Sequence, residues 1–244
     1  MKYEKLLEVG IHVYIILYFV ILMVVPMLAQ MNVKSTFNKY SKVRSTSGLT
    51  GREVAEVILR ENGIYDVSVE RGQGFLSDYY DPKNKKLVLS PHNYDTPSVA
   101  GTAVAAHEVG HAIQHATGYA FLNFRSALFP LAQLGSNFSY FLIIAGMIIT
   151  YAQSNAGGGL GQMLLWGGIA LMAFAVLFQI VTLPVEFDAS KRAMNQIESL
   201  NIVNEKEYRH AKKVLNAAAM TYVAATAVAV AELVRFILIA RSGN

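Results

Sequence analysis

Two histidines four residues apart, with a glutamate directly after the first, are the residues of this chain best suited to chemistry. They lie in the run His107-Glu108-Val109-Gly110-His111. On an α-helix, residues i and i+4 lie one above the other, so both imidazoles can bind one tetrahedral ion at about 2.0 to 2.1 Å. Glu108 then projects beside the ion and can take a proton from a zinc-bound water. The pattern predicts a zinc site with Glu108 as general base.

A catalytic zinc needs a third protein ligand and an open position for water or substrate. His115 extends the i+4 series, but it lies about 12 Å along the helix axis from His107, too far for one ion to bind both. We therefore expect His115 at the helix surface or at a pocket edge. Two acids far downstream, Glu186 and Asp188, remain as candidates. Their side chains diverge by about 160° on a helix, so they are not expected to bind one ion together.

The distribution of charge indicates that these residues belong to a membrane protein. Of 244 residues, 53% are apolar and only 16% are charged, which is a membrane balance. Residues 126–185 contain no Asp, Glu, Lys, Arg or His, and within residues 9–33 His12 is the one residue of these five types. The composition excludes a disordered chain, a small disulfide-linked secreted module and a soluble nucleic-acid binder. The absence of cysteine excludes disulfides, thiolate zinc sites and cysteine nucleophiles.

Four stretches approach the length of about 20 mostly apolar residues that a membrane-spanning helix needs. We predict them at about residues 9–29, 134–153, 162–183 and 215–238. A cleavable signal peptide is the alternative for the first stretch, but its preceding charges balance and its end is a poor cleavage site. Residues 154–161 should form a tight loop between the second and third spans. Glu232 interrupts the fourth span, and we expect it to pair with Arg235 rather than act as a functional acid.

The placement of basic residues predicts the orientation in the membrane. The segments 34–125 and 186–213 carry 11 and 6 Lys and Arg residues, whereas the N-terminal tail, the hairpin loop and the end of the last span with the C-terminal tail carry 2, 0 and 2. By the positive-inside rule both basic segments face the cytoplasm and both termini lie outside. Their basic residues flank apolar segments, so the lipid bilayer, not nucleic acid, is the expected partner.

This orientation selects the third zinc ligand. Only an acid on the same side of the membrane as His107 can serve, and Glu186 follows the third span directly, close to the membrane surface. The predicted metal ligands are therefore His107, His111 and Glu186, and the predicted cofactor is one Zn²⁺ per chain.

The segment between the first two spans has mixed α and β character. Thr50 and Glu53 form a capping box for a helix at about residues 51–62, which Gly63 ends. Alternation at residues 66–70 and two short runs within residues 74–90 predict a small sheet. Thr96 can cap the next helix with Pro97 in its first position, and Gly118 can end it.

The motifs resemble those of the YugP-like family of bacterial neutral zinc metallopeptidases, which are membrane proteins. The resemblance rests on residues 104–114 and 183–190, with further matches at residues 76–82, 89–91 and 214–219. A more distant likeness is to HtpX-type membrane proteases, in which the third ligand is a glutamate after the later span. The resemblance implies zinc on His107, His111 and Glu186, with Glu108 as base.

Two positions depart from these family patterns. The HtpX-like pattern has an aspartate four residues after the ligand glutamate, where this chain has Ser190, so the partner of a zinc-bound imidazole is not assigned. The YugP-like family usually has a histidine where Tyr79 stands.

Together these observations predict a mainly α, polytopic membrane protein with about four transmembrane helices and a small α+β cytoplasmic zinc-peptidase region. The predicted divisions are residues 1–33, the tail and first span; 34–125, the α+β region; 126–185, the hairpin; 186–213, a cytoplasmic helical segment; and 214–244, the last span and tail.

The expected function is hydrolysis of peptide or membrane-protein substrates in the bacterial cell membrane by a zinc-activated water. Candidates for stabilising the oxyanion are His210, Tyr79, Tyr80 and Tyr94, and the strand at residues 86–90 could hold a substrate by edge pairing. The alternative is a catalytically silent membrane adaptor that keeps the metal for structure.

Overall fold

The computed structural model describes residues 2–152 and 159–242 and confirms the mainly α-helical fold class. Its elements, in chain order, are α1 Lys2–Tyr40, α2 Gly51–Glu61, β1 Ser68–Arg71, β2 Tyr79–Asp81, β3 Lys86–Leu89, α3 Pro91–Asp95, α4 Val99–Ala116, α5 Ala120–Ala152, α6 Gly159–Ser199 and α7 Glu205–Ser242.

Four of the helices, α1, α5, α6 and α7, are long and apolar enough to cross a membrane, as predicted. They are longer than the predicted spans, with α6 reaching 41 residues and continuing through Pro184. The sequence prediction covered only the apolar part of each helix, which can lie in the hydrocarbon core of a membrane. The polar end of α6 is helical as well, because it packs against α4. Of the predicted hairpin loop, residues 154–158 lie outside the described part, and Gly159 already begins α6.

Small residues allow the membrane-spanning helices to approach closely. A Cβ atom at Gly146 of α5 would lie 2.5 Å from the backbone nitrogen of Leu165 in α6, so only glycine fits this crossing. The predicted pairing of Glu232 with Arg235 is confirmed, with an N–O distance of 2.8 Å. Tyr18 of α1 also donates a hydrogen bond of 2.7 Å to Glu232, so the acid ties α1 to α7.

The remaining elements form a small α+β region around α4. The capping box at Thr50 begins α2 as predicted. The sheet has the strand order β1-β3-β2, with β3 parallel to β1 and antiparallel to β2. Since β3 is central, the proposal that it pairs with a substrate at a free edge is wrong. The two edge strands of the sheet are β1 and β2.

The predicted start of α4 is also wrong. Thr96 is the C-cap of the short helix α3, and Ser98 caps α4 by accepting a hydrogen bond from the backbone nitrogen of Gly101. The sequence offered Thr96-Pro97 as a start because proline suits a first helical turn, but here Pro97 lies in the connection between two helices. The predicted end is right, since Gly118 adopts a positive φ of 63° just after α4.

Candidate metal and catalytic site

Close contact between α4 and α6 brings the two candidate motifs together. A Cβ atom at Gly110, inside the His107-to-His111 run, would lie 2.5 Å from the carbonyl oxygen of Ala189. Both helix backbones therefore meet at a point that only glycine allows. Because Ala189 lies one helical turn from Glu186, the same contact carries the Glu186 carboxylate over the two histidines.

The three predicted ligands form one cluster. One ligand atom from each of His107, His111 and Glu186 lies within 4.8 Å of the other two. The Oε2 atom of Glu186 is 3.3 Å from Nε2 of His107 and 3.7 Å from Nε2 of His111. Glu186 is buried, and two nitrogens with one carboxylate oxygen form a donor set suited to zinc. The residues present therefore fit a zinc ion.

Gln114 sets the orientation and tautomer of His111. Its Nε2 atom donates hydrogen bonds of 2.8 Å to the carbonyl oxygen of Val185 and 2.9 Å to Oδ2 of Asp188. Its Oε1 atom therefore faces Nδ1 of His111 at 3.0 Å and must accept a hydrogen bond from the N–H group there. With its proton on Nδ1, a neutral His111 keeps the lone pair of Nε2 for a metal.

Ser190 holds the second imidazole. Its Oγ atom lies 3.2 Å from Nδ1 of His107, again leaving Nε2 directed at Glu186. Ser190 thus stands at the position where the HtpX-like pattern has an aspartate, and it contacts the imidazole of His107.

Two further side chains approach Glu186 from the membrane-spanning helices. Nη1 of Arg125, from the start of α5, lies 3.4 Å from Oε1 of Glu186. Tyr222 of α7 also lies close enough to interact with the Glu186 carboxylate. Neither residue was singled out in the sequence.

Glu108 is buried beside this cluster. Burial raises the pKa of its carboxyl group above the usual range, and the nearby His107 and His111 act in the opposite direction. A raised pKa brings a carboxylate closer to the range useful for proton transfer near neutral pH.

Two clefts open on the cluster. The larger, about 720 Å³, lies between β2 with its following turn and the membrane helices, and its apolar lining is Leu122, Phe129 and Phe178. The smaller, about 240 Å³, lies between α1 and α7. His107, Glu108, Glu186, Asp78 and Tyr222 line both clefts.

Asp78 holds the edge strand β2 in place beside the cluster. It accepts a hydrogen bond of 2.7 Å from the backbone nitrogen of Ser90 and one of 3.0 Å from Nδ2 of Asn93. Farther along, the hydroxyl of Tyr80 lies 2.8 Å from Nδ1 of His115. The strand β2 is therefore tied to the sheet and α3 at one end and to α4 at the other.

Several sequence candidates lie elsewhere. His115 lies outside the cluster, in contact with Tyr80, as its distance along the helix predicted. Asp188 lies outside the cluster as well and binds Arg192 at 2.6 Å. Tyr94 stacks with Arg52, and His210 stacks on Tyr40, so neither lines the two clefts.

Four residues at the site were not predicted from the sequence, and helical spacing could have identified two of them. Gln114 lies three residues after His111 and Ser190 four residues after Glu186, so helical periodicity alone places each beside its ligand. Arg125 and Tyr222 reach the site from other helices, and no local spacing reveals them.

Comparison with known proteins gives the chain a family. The family described as "Putative neutral zinc metallopeptidase" matches residues 14–241. "Putative membrane protease YugP" of Bacillus subtilis (strain 168) is 45% identical over 217 residues, which cover 88% of this chain and 92% of that protein. No solved structure matches the chain. Since the family match takes in α4, α6 and all four long helices, the chain belongs to this family of neutral zinc metallopeptidases.

Proposed function

We propose that the protein is a membrane-embedded zinc endopeptidase with zinc bound by His107, His111 and Glu186. The observation that carries the proposal is the convergence of these three donors beside Glu108 in an open cleft. Gln114 and Ser190 support it, because they orient both imidazoles with Nε2 toward the shared carboxylate. Among the described residues, no fourth His, Asp or Glu joins the cluster, which leaves a position for water or substrate.

Glu108 is the general base of the proposed reaction. Zinc, when bound, supplies a Lewis acid that polarises a carbonyl group and acidifies water. The Glu108 carboxylate accepts the proton of the attacking water and then delivers it to the leaving amine.

Tyr222 is the best-placed donor for the developing oxyanion. It lines both clefts and lies near Glu186, so a carbonyl group above the cluster meets its hydroxyl. Of the earlier candidates, only Tyr79 and Tyr80 also line a cleft. Arg125 neutralises the outer oxygen of Glu186 and leaves Oε2 for the histidines and the metal.

The substrate is an extended polypeptide that pairs with β2. This strand is an edge of the sheet and lines the larger cleft, so its free backbone groups can bind a peptide as an added strand. The opposite wall comes from α5 and α6, where Leu122, Phe129 and Phe178 supply its apolar part. A peptide that passes from one cleft to the other crosses the cluster in mid-chain, which favours an endopeptidase.

The proposed setting is the bacterial cell membrane, with the site facing the cytoplasm and both termini outside. The excess of Lys and Arg in residues 34–125 and 186–213 supports this orientation.

The adaptor alternative requires a closed structural metal site. Such a site takes four protein ligands and no base. The three-donor cluster with Glu108 beside it favours the enzyme.

Glu108→Gln tests the proposal. The amide keeps the side chain's shape but cannot accept the proton, so we expect cleavage to fall by about 10² to 10⁴-fold while zinc content is retained. The measurement is cleavage of a mixture of quenched fluorescent peptides by the solubilised full chain, with zinc determined on the same samples. Glu198→Gln, on the exposed surface of α6, is the matched control and should leave both unchanged. Equal cleavage by the Glu108→Gln and wild-type proteins at equal zinc would remove Glu108 from the mechanism.

A further inference from the structure

A further cavity, separate from the two clefts, lies away from the metal cluster on another face of α1 and α7. Its volume is about 400 Å³, and it is lined by Asn32, Thr36, Lys39, Tyr40, Lys213, Asn216, Ala217 and Met220. None of the residues that hold the proposed zinc contributes to it.

The cavity is electropositive. Lys39 and Lys213 face it from different helices, and no acidic residue lines it. Within the described part of the chain, neither lysine forms an ion pair. Farther along α7, Lys206 and Arg209 add to the positive field around His210, which stacks on Tyr40.

Among the described residues, neither neighbouring acid of α7 forms an ion pair with Lys39 or Lys213. Glu207 accepts hydrogen bonds of 2.7 Å from both the backbone nitrogen and the hydroxyl of Thr46. Glu205 pairs with Arg209 at 3.6 Å. An anion supplied from outside the chain is therefore the natural partner of Lys39 and Lys213.

The cavity lies where the apolar surface of the protein ends. Met220, at one side of the cavity, is 51% exposed, and Met31, one residue before the lining begins on α1, is 58% exposed. Lys39 and Lys213 lie at the other side, toward the basic ends of both helices. A ligand that fits this gradient has an anionic head and an apolar tail.

We propose that this cavity binds the phosphate group of an anionic phospholipid. Lys39 and Lys213 pair with the phosphate charge, and the amide nitrogens of Asn32 and Asn216 supply hydrogen-bond donors to its oxygens. The acyl chains lie along the exposed apolar surfaces of α1 and α7. Free phosphate shares the charge but not the tail, so the apolar side of the cavity selects the lipid.

The site has a structural consequence for the neighbouring cleft. The same two helices line the smaller cleft beside the metal cluster, through Gln30 and Val33 of α1 and Leu215 and Tyr222 of α7. A phosphate bound between Lys39 and Lys213 draws α1 and α7 together and stabilises this wall. The proposal goes beyond the peptidase function and does not depend on it.

The test compares two double variants with equal loss of charge. Lys39→Gln with Lys213→Gln removes both cations of the cavity, whereas Lys42→Gln with Lys212→Gln removes two nearby cations that do not line it. Full-length protein in neutral detergent receives phosphatidylglycerol, phosphatidylcholine or inorganic phosphate. Native mass spectrometry measures lipid retention, and thermal unfolding measures the accompanying shift in Tm.

We expect wild type and the Lys42/Lys212 variant to retain phosphatidylglycerol and to gain stability from it. The Lys39/Lys213 variant should bind phosphatidylglycerol at least about tenfold more weakly and lose the shift in Tm. Equal loss in both double variants would mean diffuse attraction by surface charge and would overturn the site. Equal retention of phosphatidylcholine, or an equal shift with inorganic phosphate alone, would overturn the assignment to an anionic lipid.

Discussion

At the scale of single residues, the site depends on side chains that hold the ligands as much as on the ligands themselves. The amide of Gln114 has its nitrogen committed to two acceptors, Val185 and Asp188, so its oxygen can only accept. This fixes the proton of His111 on Nδ1 before any metal arrives. Preorganisation of this kind lowers the cost of binding a metal at a buried site.

Replacing Gln114 with methionine, which keeps the length of the side chain but accepts poorly, should release the His111 ring. Loss of such a partner typically costs about 10 to 100-fold in metal affinity, and we expect that loss in a zinc competition titration. Gln196→Met is the control, because Gln196 binds Asn62 far from the cluster. Unchanged zinc affinity in the Gln114 variant would show that packing alone orients the ring.

The two neighbouring acids should differ in their effect on zinc. Glu186→Gln removes the charged oxygen that faces both histidines, so metal analysis of the purified protein should show most of the zinc lost. Asp188→Asn should lower zinc content less, because Asp188 acts only through Gln114. The reverse order would identify Asp188 as the ligand.

At the scale of elements, the crossing of α4 and α6 assembles the site. The two motifs are far apart in sequence, and their contact requires the missing side chain at Gly110. The edge strand β2 forms a second layer, held by Asp78 at one end and by the Tyr80–His115 contact at the other. His115 thus has a structural role that its place in the histidine series did not suggest.

Gly110→Ala should separate the two helices. The added methyl group meets backbone atoms of Ala189, which cannot rotate away, so we expect a loss of stability of about 1 to 3 kcal/mol and reduced zinc content. Gly167→Ala in α6 is the matched control, since nothing lies within 4 Å of the added carbon. Thermal unfolding and zinc analysis should leave the Gly167 variant close to wild type, and equal behaviour of both variants would refute the role of the crossing.

At the scale of the whole molecule, the site joins three of the four long helices to α4 of the small α+β region. Glu186, Arg125 and Tyr222 come from α6, α5 and α7, while the histidines come from α4, which is not one of the four. The site can therefore form only when these helices are assembled.

Orientation can be tested with reporters. Because 17 of the 21 Lys and Arg residues lie in residues 34–125 and 186–213, a reporter inserted after Asn84 should be cytoplasmic. A reporter inserted at Gly157 should be external. Activity of both reporters on the same side would contradict the predicted topology.

Much of this organisation could be predicted from the sequence. The apolar stretches predicted four spans, the capping box at Thr50 predicted α2, and the His107-to-His111 spacing predicted two ligands on one helix face. These features are local, because helix periodicity, capping and hydrophobic length depend on residues within a few turns of one another.

Only the tertiary structure decided the rest. It placed β3 in the centre of the sheet, gave α4 its cap at Ser98, and brought Arg125 and Tyr222 to Glu186. Strand order and contacts between distant helices depend on which surfaces pack together, and a linear pattern does not record that choice. The candidate ligands could be read from the sequence, whereas the groups that orient them and the edge strand that lines the larger cleft required the assembled fold.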